Sequence, residues 1–164
     1  MRPTIPLSDW RLAVDLNASR GIRRQTGHPA ADCTCHGCTT WRKLAAKVFP
    51  KSLAAELERL GVDKNHPTDL YIFDETKGAM DFRVIYHIAG KILSGPVPWL
   101  DKDEFDDALD SKMHYYHEVQ PEPDYIGLRV STTRDSFEYA PQLTDDSKSD
   151  VLCLDFRLLA KETT

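Results

Sequence analysis

From Met80 to Leu93 apolar residues recur at every second position, a pattern that a pleated strand satisfies and a 3.6-residue helical repeat does not. Phe82, Val84, Tyr86 and Ile88 share one face of such a strand, and Arg83, Ile85, His87 and Ala89 the other. A strand of this length needs partners on its edges. Leu70-Tyr71-Ile72-Phe73 is a short apolar run, and Asp74-Glu75-Thr76-Lys77-Gly78 is turn chemistry, so a hairpin is predicted. The same period returns from Val151 to Leu159. There Leu152, Leu154, Phe156 and Leu158 alternate with Cys153, Asp155 and Arg157, which predicts a half-buried strand. Met113 to Val119 and Tyr125 to Val130 are two further strand candidates.

The amino-terminal part has helical spacing instead. Leu7, Trp10 and Val14 fall on one stripe behind Ser8 as a possible N-cap, which predicts a short helix over 7–16. Gly21 to Asp32 reads as a basic loop. Thr39 or Thr40 can cap a second helix carrying Trp41, Leu44, Ala45 and Val48 on one side, with Pro50 opening a third. Leu53, Leu57 and Leu60 continue that third helix, and Gly61 supplies its left-handed C-cap. A short acidic helix is expected over 103–110, packed through Phe105 and Leu109. Helices first and strands later indicate α+β: short N-terminal helices on a mostly antiparallel sheet of about four to six strands. At 164 residues the chain has room for one core, so a single domain over 1–164 is expected, its first 50 or so residues basic and cysteine-containing.

Charge is distributed unevenly. Residues 1–50 carry eight Lys/Arg against three Asp/Glu, whereas 101–150 carry five against fourteen. Such an acidic concentration repels nucleic acid and anionic membranes and steers a basic protein toward it. No stretch approaches the roughly 18 consecutive apolar residues of a membrane span. Ser8, Asp9 and Arg11 occupy positions where a secretory signal would carry its apolar core, so a cytoplasmic location is expected.

Three of the four cysteines lie within Cys33-Thr34-Cys35-His36-Gly37-Cys38. Closely spaced thiolates can converge on a tetrahedral zinc ion, with Gly37 permitting a tight turn and Arg23, Arg24 and Arg42 offsetting the thiolate charge. Cys33, Cys35, Cys38 and His36 are the expected ligands, with His28 and Cys153 as alternatives for the fourth position. Thiol redox chemistry at Cys35-x2-Cys38, before a predicted helix, and plain reduced cysteines are the competing readings. A disulfide framework conflicts with a reducing compartment.

Enzyme motifs are absent: there is no Gly-x-Gly-x-x-Gly, no phosphate loop, no Gly-x-Ser-x-Gly and no His-Glu-x-x-His. His114 and His117 project to opposite faces of a strand, and His87 stands alone on its own, so a metal-dependent hydrolase ranks third. The acidic run from Asp101 departs from a calcium loop at Phe105, Asp106 and Lys112.

Cys35-x2-Cys38, Trp41, Phe49-Pro50, Leu53, Leu57, Leu60-Gly61-Val62-Asp63, a strand at Tyr71 and Tyr86-His87-Ile88-Ala89-Gly90-Lys91-Ile92 together resemble a group of uncharacterised small bacterial proteins. Cys33 and Cys153 stand outside that pattern, and the resemblance implies no activity.

Size, charge and missing catalytic motifs lead to the expectation of a non-enzymatic binding protein of the immunity or inhibitor type, neutralising a basic partner such as a nuclease toxin. Asp101, Asp103, Glu104, Asp106, Asp107 and Asp110 would form its docking face, with Tyr115, Tyr116, Tyr125 or Trp99 as aromatic anchors. The alternative is a zinc-containing nucleic-acid-binding or regulatory domain that meets phosphates through Arg20, Arg23, Arg24, Arg42, Lys43 and Lys47.

Overall fold

The structure is a computed structural model, described here over residues 2–25, 32–97, 115–132, 141–143 and 149–161. The long alternating segment forms a strand, β4 (Ala79–Ser94), and the C-terminal one forms β7 (Asp150–Lys161). They pair antiparallel from Ala79 opposite Lys161 to Gly90 opposite Asp150. β3 (Asp69–Thr76) reaches β4 through the two-residue turn Lys77-Gly78 and covers the first half of its other edge. β5 (His117–Gln120) and β6 (Ile126–Thr132) extend the sheet beyond β7. The predicted α+β class and antiparallel pairing are therefore observed.

Two more strands come from a segment predicted as a helix. Thr4–Leu7 (β1) and Trp10–Val14 (β2) form a hairpin, with Ser8 at φ 51 in its turn. Leu7, Trp10 and Val14 match a helical stripe, but Trp10, Leu12 and Val14 also alternate, and all three are buried. Tertiary pairing decides between the two periods. β2 joins the second half of β4, from Val14 opposite Gly90 to Arg11 opposite Ser94, and Glu56 accepts the Ser8 N–H at 2.8 Å. The order is thus β1-β2-β4-β7-β6-β5, with β3 beside β2 on the same edge of β4, seven strands among the described residues.

A helix does follow, later than predicted and where a loop was expected. α1 (Leu16–Arg23) begins at Asp15, whose carboxylate accepts the Ala18 N–H at 2.9 Å, and it runs through Gly21. α2 (His36–Val48) starts before the expected Thr39 cap, and α3 (Lys51–Arg59) lies where Pro50 and the leucine spacing placed it. Gly61, at φ +73, ends α3 in the left-handed region, and Val62 N–H returns to Leu57 O at 3.0 Å.

One sheet face packs on α2 and α3. Trp41, wholly buried, contacts Phe49 and Phe82 edge-on at centroid distances of 6.0 and 5.3 Å, and Leu53, Leu57 and Leu60 belong to the same buried cluster as Val84, Tyr86, Ile88, Leu154 and Phe156. Trp41 Nε1 and the Tyr86 hydroxyl both donate to Lys64 O at 2.8 Å, tying the loop after α3 to the core.

The opposite face is buried too, against the expectation of a half-buried C-terminal strand, and it is ionic. Arg83 on β4 grips Asp155 on β7 with Nε and Nη2, the closest contact being 2.7 Å. Tyr115 and Tyr116 donate to the two oxygens of the same carboxylate at 3.1 and 3.0 Å. Arg129 on β6 reaches the Tyr115 hydroxyl at 3.2 Å, and Arg157 pairs with Asp81 at 2.8 and 2.9 Å. Burial opposes charge on Arg83, but Asp155 outweighs it and holds the guanidinium pKa above its ordinary value. Burial, reinforced by Asp155, raises both tyrosine hydroxyls.

Asp155→Ala removes the acceptor shared by Arg83 and both tyrosines, so a loss of about 3–5 kcal/mol is expected in urea unfolding. The Asp155→Leu/Arg83→Met pair replaces both charges and should fall short of that loss.

Candidate metal centre

The loop from Asp32 and the first turn of α2 bring three thiols together. Cys35 is the N-cap of α2, in extended conformation, and its carbonyl accepts the Thr39 N–H at 3.0 Å. Its own N–H points back to Cys33 Sγ at 3.4 Å, while Arg42 Nη2 donates to Cys33 O and Thr39 Oγ1 to Thr34 O at 3.2 Å. The first turn of α2 then turns Cys38 toward the other two. The Sγ atoms of Cys33, Cys35 and Cys38 all lie within 4.8 Å of one another, close enough to hold a metal ion. In a thiolate tetrahedron with metal–sulfur bonds of about 2.3 Å the sulfurs stand about 3.8 Å apart, so small side-chain rotations suffice.

The three thiols differ in exposure: Cys35 is exposed, Cys33 half-buried and Cys38 buried. The Cys38 backbone N–H, helped by the Cys33 side chain, lowers the Cys35 pKa to about 7. Burial, followed by the neighbouring Cys35 and Cys33 side chains, pushes Cys38 up to about 12. A divalent cation would reverse the second effect, because its charge favours the thiolate at every ligand.

Gly37 fits this turn for a packing reason. A Cβ there would stand 2.8 Å from Ile72 Cδ1, so its absence lets α2 approach β3 closely beside the cysteines. His36 secures the same contact, its Nε2 lying 2.9 Å from Glu75 Oε1. His36, expected as the fourth ligand, is thus directed to β3 and is not in the thiol group. Cys153 is not in the group either; it is buried on β7, opposite His87 on β4 and Ser131 on β6. His28 lies outside the described residues.

The remaining expected site residues separate into two sets. Asp101, Asp103, Glu104, Asp106, Asp107 and Asp110, with Trp99, His114 and the 103–110 helix, lie outside the described residues. Tyr115 and Tyr116, expected as exposed anchors, are 2% and 5% exposed and bonded to Asp155; Tyr125 is 6% exposed. The Tyr115 and Tyr116 rings are interior parts of the ionic face. His117 contacts Asp9 Oδ2 at 2.6 Å and packs edge-on against Trp10, and His87 is buried on β4. Neither joins a cluster of metal-ligating side chains among the described residues.

Sequence reasoning missed two features. The ionic face was foreshadowed by Arg83, Asp155 and Arg157 at inward positions of otherwise apolar strands, but their partnership requires the β4–β7 register. The second is a cleft of about 280 Å³ between the end of α1, the loop from α3 to β3, and β4. The Asp63-x2-His66 spacing inside it was a readable signal.

In metal-free protein, alkylation of Cys35 by iodoacetamide should rise with pH as the thiolate forms, through about 7 rather than its ordinary 9.0, while Cys38 stays unreactive across that range. Peptide mass mapping of short alkylation pulses measures both. Comparison with protein-family models, curated proteins and solved structures finds no match to this chain.

Proposed function

We propose that the chain is a zinc-containing binding domain in which Cys33, Cys35 and Cys38 hold the ion and lock the loop before α2 against β3. The observation that supports it is the convergence of three thiol sulfurs within 4.8 Å at one helix start. Three soft thiolates favour zinc over the hard, oxygen-seeking cations. A fourth ligand has to come from outside this group, and His28, five residues before Cys33, is the candidate outside the described residues. The role is structural: the ion would join the extended chain at Cys33 to the buried Cys38, adding to the bonds that Arg42 and Thr39 already make with the loop. Metal content of the purified full-length chain, read by native mass spectrometry, should show one zinc per chain, lost in Cys35→Ser/Cys38→Ser. Protein grown with added zinc that carries none, and whose three thiols react freely in the folded state, would overturn the reading.

The sequence's own charge supports a basic protein as the partner. Fourteen acids against five bases in 101–150 attract such a partner and oppose a nucleic-acid duplex. Neutralisation of a basic toxin, such as a nuclease, is the form of binding this charge suits. The contrary role, phosphate contact through Arg42, Lys43 and Lys47 beside the cysteines, would rest on the exposed side of α2. Reversal of Asp103, Glu104, Asp106 and Asp107 to lysine separates them: at low salt it should slow association with a basic protein, and speed it with duplex DNA.

A further inference from the structure

The cleft beside β4 has an origin in the strand pairing. β3 leaves β4 where Thr68 N–H bonds Ile85 O at 2.8 Å, and β2 joins only where Asp15 N–H bonds Ala89 O at 2.9 Å. Between those two bonds the edge of β4 has no strand beside it among the described residues, and His87, the intervening residue on that edge, lines the opening. The end of α1 and the loop from α3 to β3 wall the gap, enclosing about 280 Å³. That is just below the volumes of about 300–1,000 Å³ typical of small-molecule pockets.

The lining includes two cationic side chains. Arg23 and Arg24 both border the cleft, and neither guanidinium makes a hydrogen bond or ion pair among the described residues. Thr68 is only 7% exposed, yet its hydroxyl likewise makes no hydrogen bond among the described residues. Asp63 is committed: Oδ2 lies 2.9 Å from His66 Nδ1 and Oδ1 accepts the Asn65 N–H at 3.1 Å. This holds the His66 ring in place and leaves Nε2 as its remaining polar atom. Among the described lining residues Asp32 is then the one carboxylate without a hydrogen bond or ion pair, against two guanidiniums. Ile22, Val62 and Tyr86 supply apolar wall.

We propose that this cleft binds a small molecule through an oxyanion head, a carboxylate or a phosphate, held by Arg23 and Arg24 with its apolar body against Ile22, Val62 and Tyr86. Planar guanidiniums match an oxyanion in charge and in hydrogen-bond geometry, and the Thr68 hydroxyl and His66 Nε2 add neutral polar contacts. The small volume of the cleft and the Asp32 carboxylate favour a discrete small molecule over an extended polyanion. This site is independent of the zinc assignment, although Asp32 immediately precedes Cys33.

The test is calorimetric titration of the full chain with phenyl phosphate, benzoate, inorganic phosphate and benzylamine. Phenyl phosphate or benzoate should bind saturably, at least about tenfold more tightly than inorganic phosphate, because only they use the apolar wall. Whichever of the two binds better identifies the head group. Arg23→Ala/Arg24→Ala, both at exposed positions, should weaken that ligand about tenfold or more, and Thr68→Val should weaken it less, while Lys43→Ala/Lys47→Ala leaves it unchanged. The proposal is overturned if no anion saturates up to about 10 mM, if benzylamine binds as well as the anions, or if loss of both arginines leaves affinity unaltered.

Discussion

The antiparallel ladder between β4 and β7 is the interaction on which every other element depends. It runs from Ala79 opposite Lys161 to Gly90 opposite Asp150, and its register gives each side of the sheet its character. Even-numbered residues of both strands point to α2 and α3 and make the apolar core; odd-numbered ones bring Arg83 to Asp155 and His87 to Cys153. A shift of one residue would exchange the two faces, setting charge against Trp41 and apolar side chains among the tyrosines. β4 also extends past β7, and its far edge accepts β3 and β2 in turn. The cleft is a product of that division, since two partner strands on one edge leave a space where neither continues.

A buried ionic face is costly unless its charges and hydroxyls are mutually satisfied. Here one carboxylate, Asp155, takes Arg83 and two tyrosine hydroxyls, and a second pair, Arg157 with Asp81, lies beside it. Exposed aromatics of β3 shield the outer end of both pairs: Tyr71 stands 5.6 Å from Arg83 and Phe73 3.7 Å from Arg157, each measured from guanidinium carbon to ring centre. Pairing thus replaces hydration, and the tyrosines next to the acidic segment are absorbed into the interior. Whatever partner surface the acidic segment provides, it is without those two rings.

The cysteine centre and the cleft belong to one stretch of chain. Cys33 to Cys38 begin α2 while Asp32 borders the cleft, so the same turn serves both. Its position is set from outside by three contacts: Gly37 against Ile72, His36 with Glu75, and Arg42 with Cys33 O. Each joins the turn to β3 or to the second turn of α2. Metal geometry at these thiols would accordingly be coupled to the packing of β3 and not to the central ladder.

Local pattern alone was sufficient for α3, for the β3–β4 hairpin and for the period of β4 and β7, because each combines a clear repeat with a stop signal such as Pro50, Gly61 or Gly78. The grouping of Cys33, Cys35 and Cys38 was also legible, since neighbours so close in a turn have little choice but to meet. The N-terminal hairpin was not: Trp10 and Val14 satisfy both a helical and a strand period, and only the open half of the β4 edge selects the strand. Nor could spacing show that His36 turns to Glu75, that Tyr115 and Tyr116 are buried, or that Arg23, Arg24, Asp63 and His66 line one cleft. The sequence by itself determined periodicity, turn positions and the local thiol cluster, which depend on residues a few positions apart. Only the tertiary structure decided which face each charge occupies and what it touches, because those contacts join residues distant along the chain and exist only once the strand register is set.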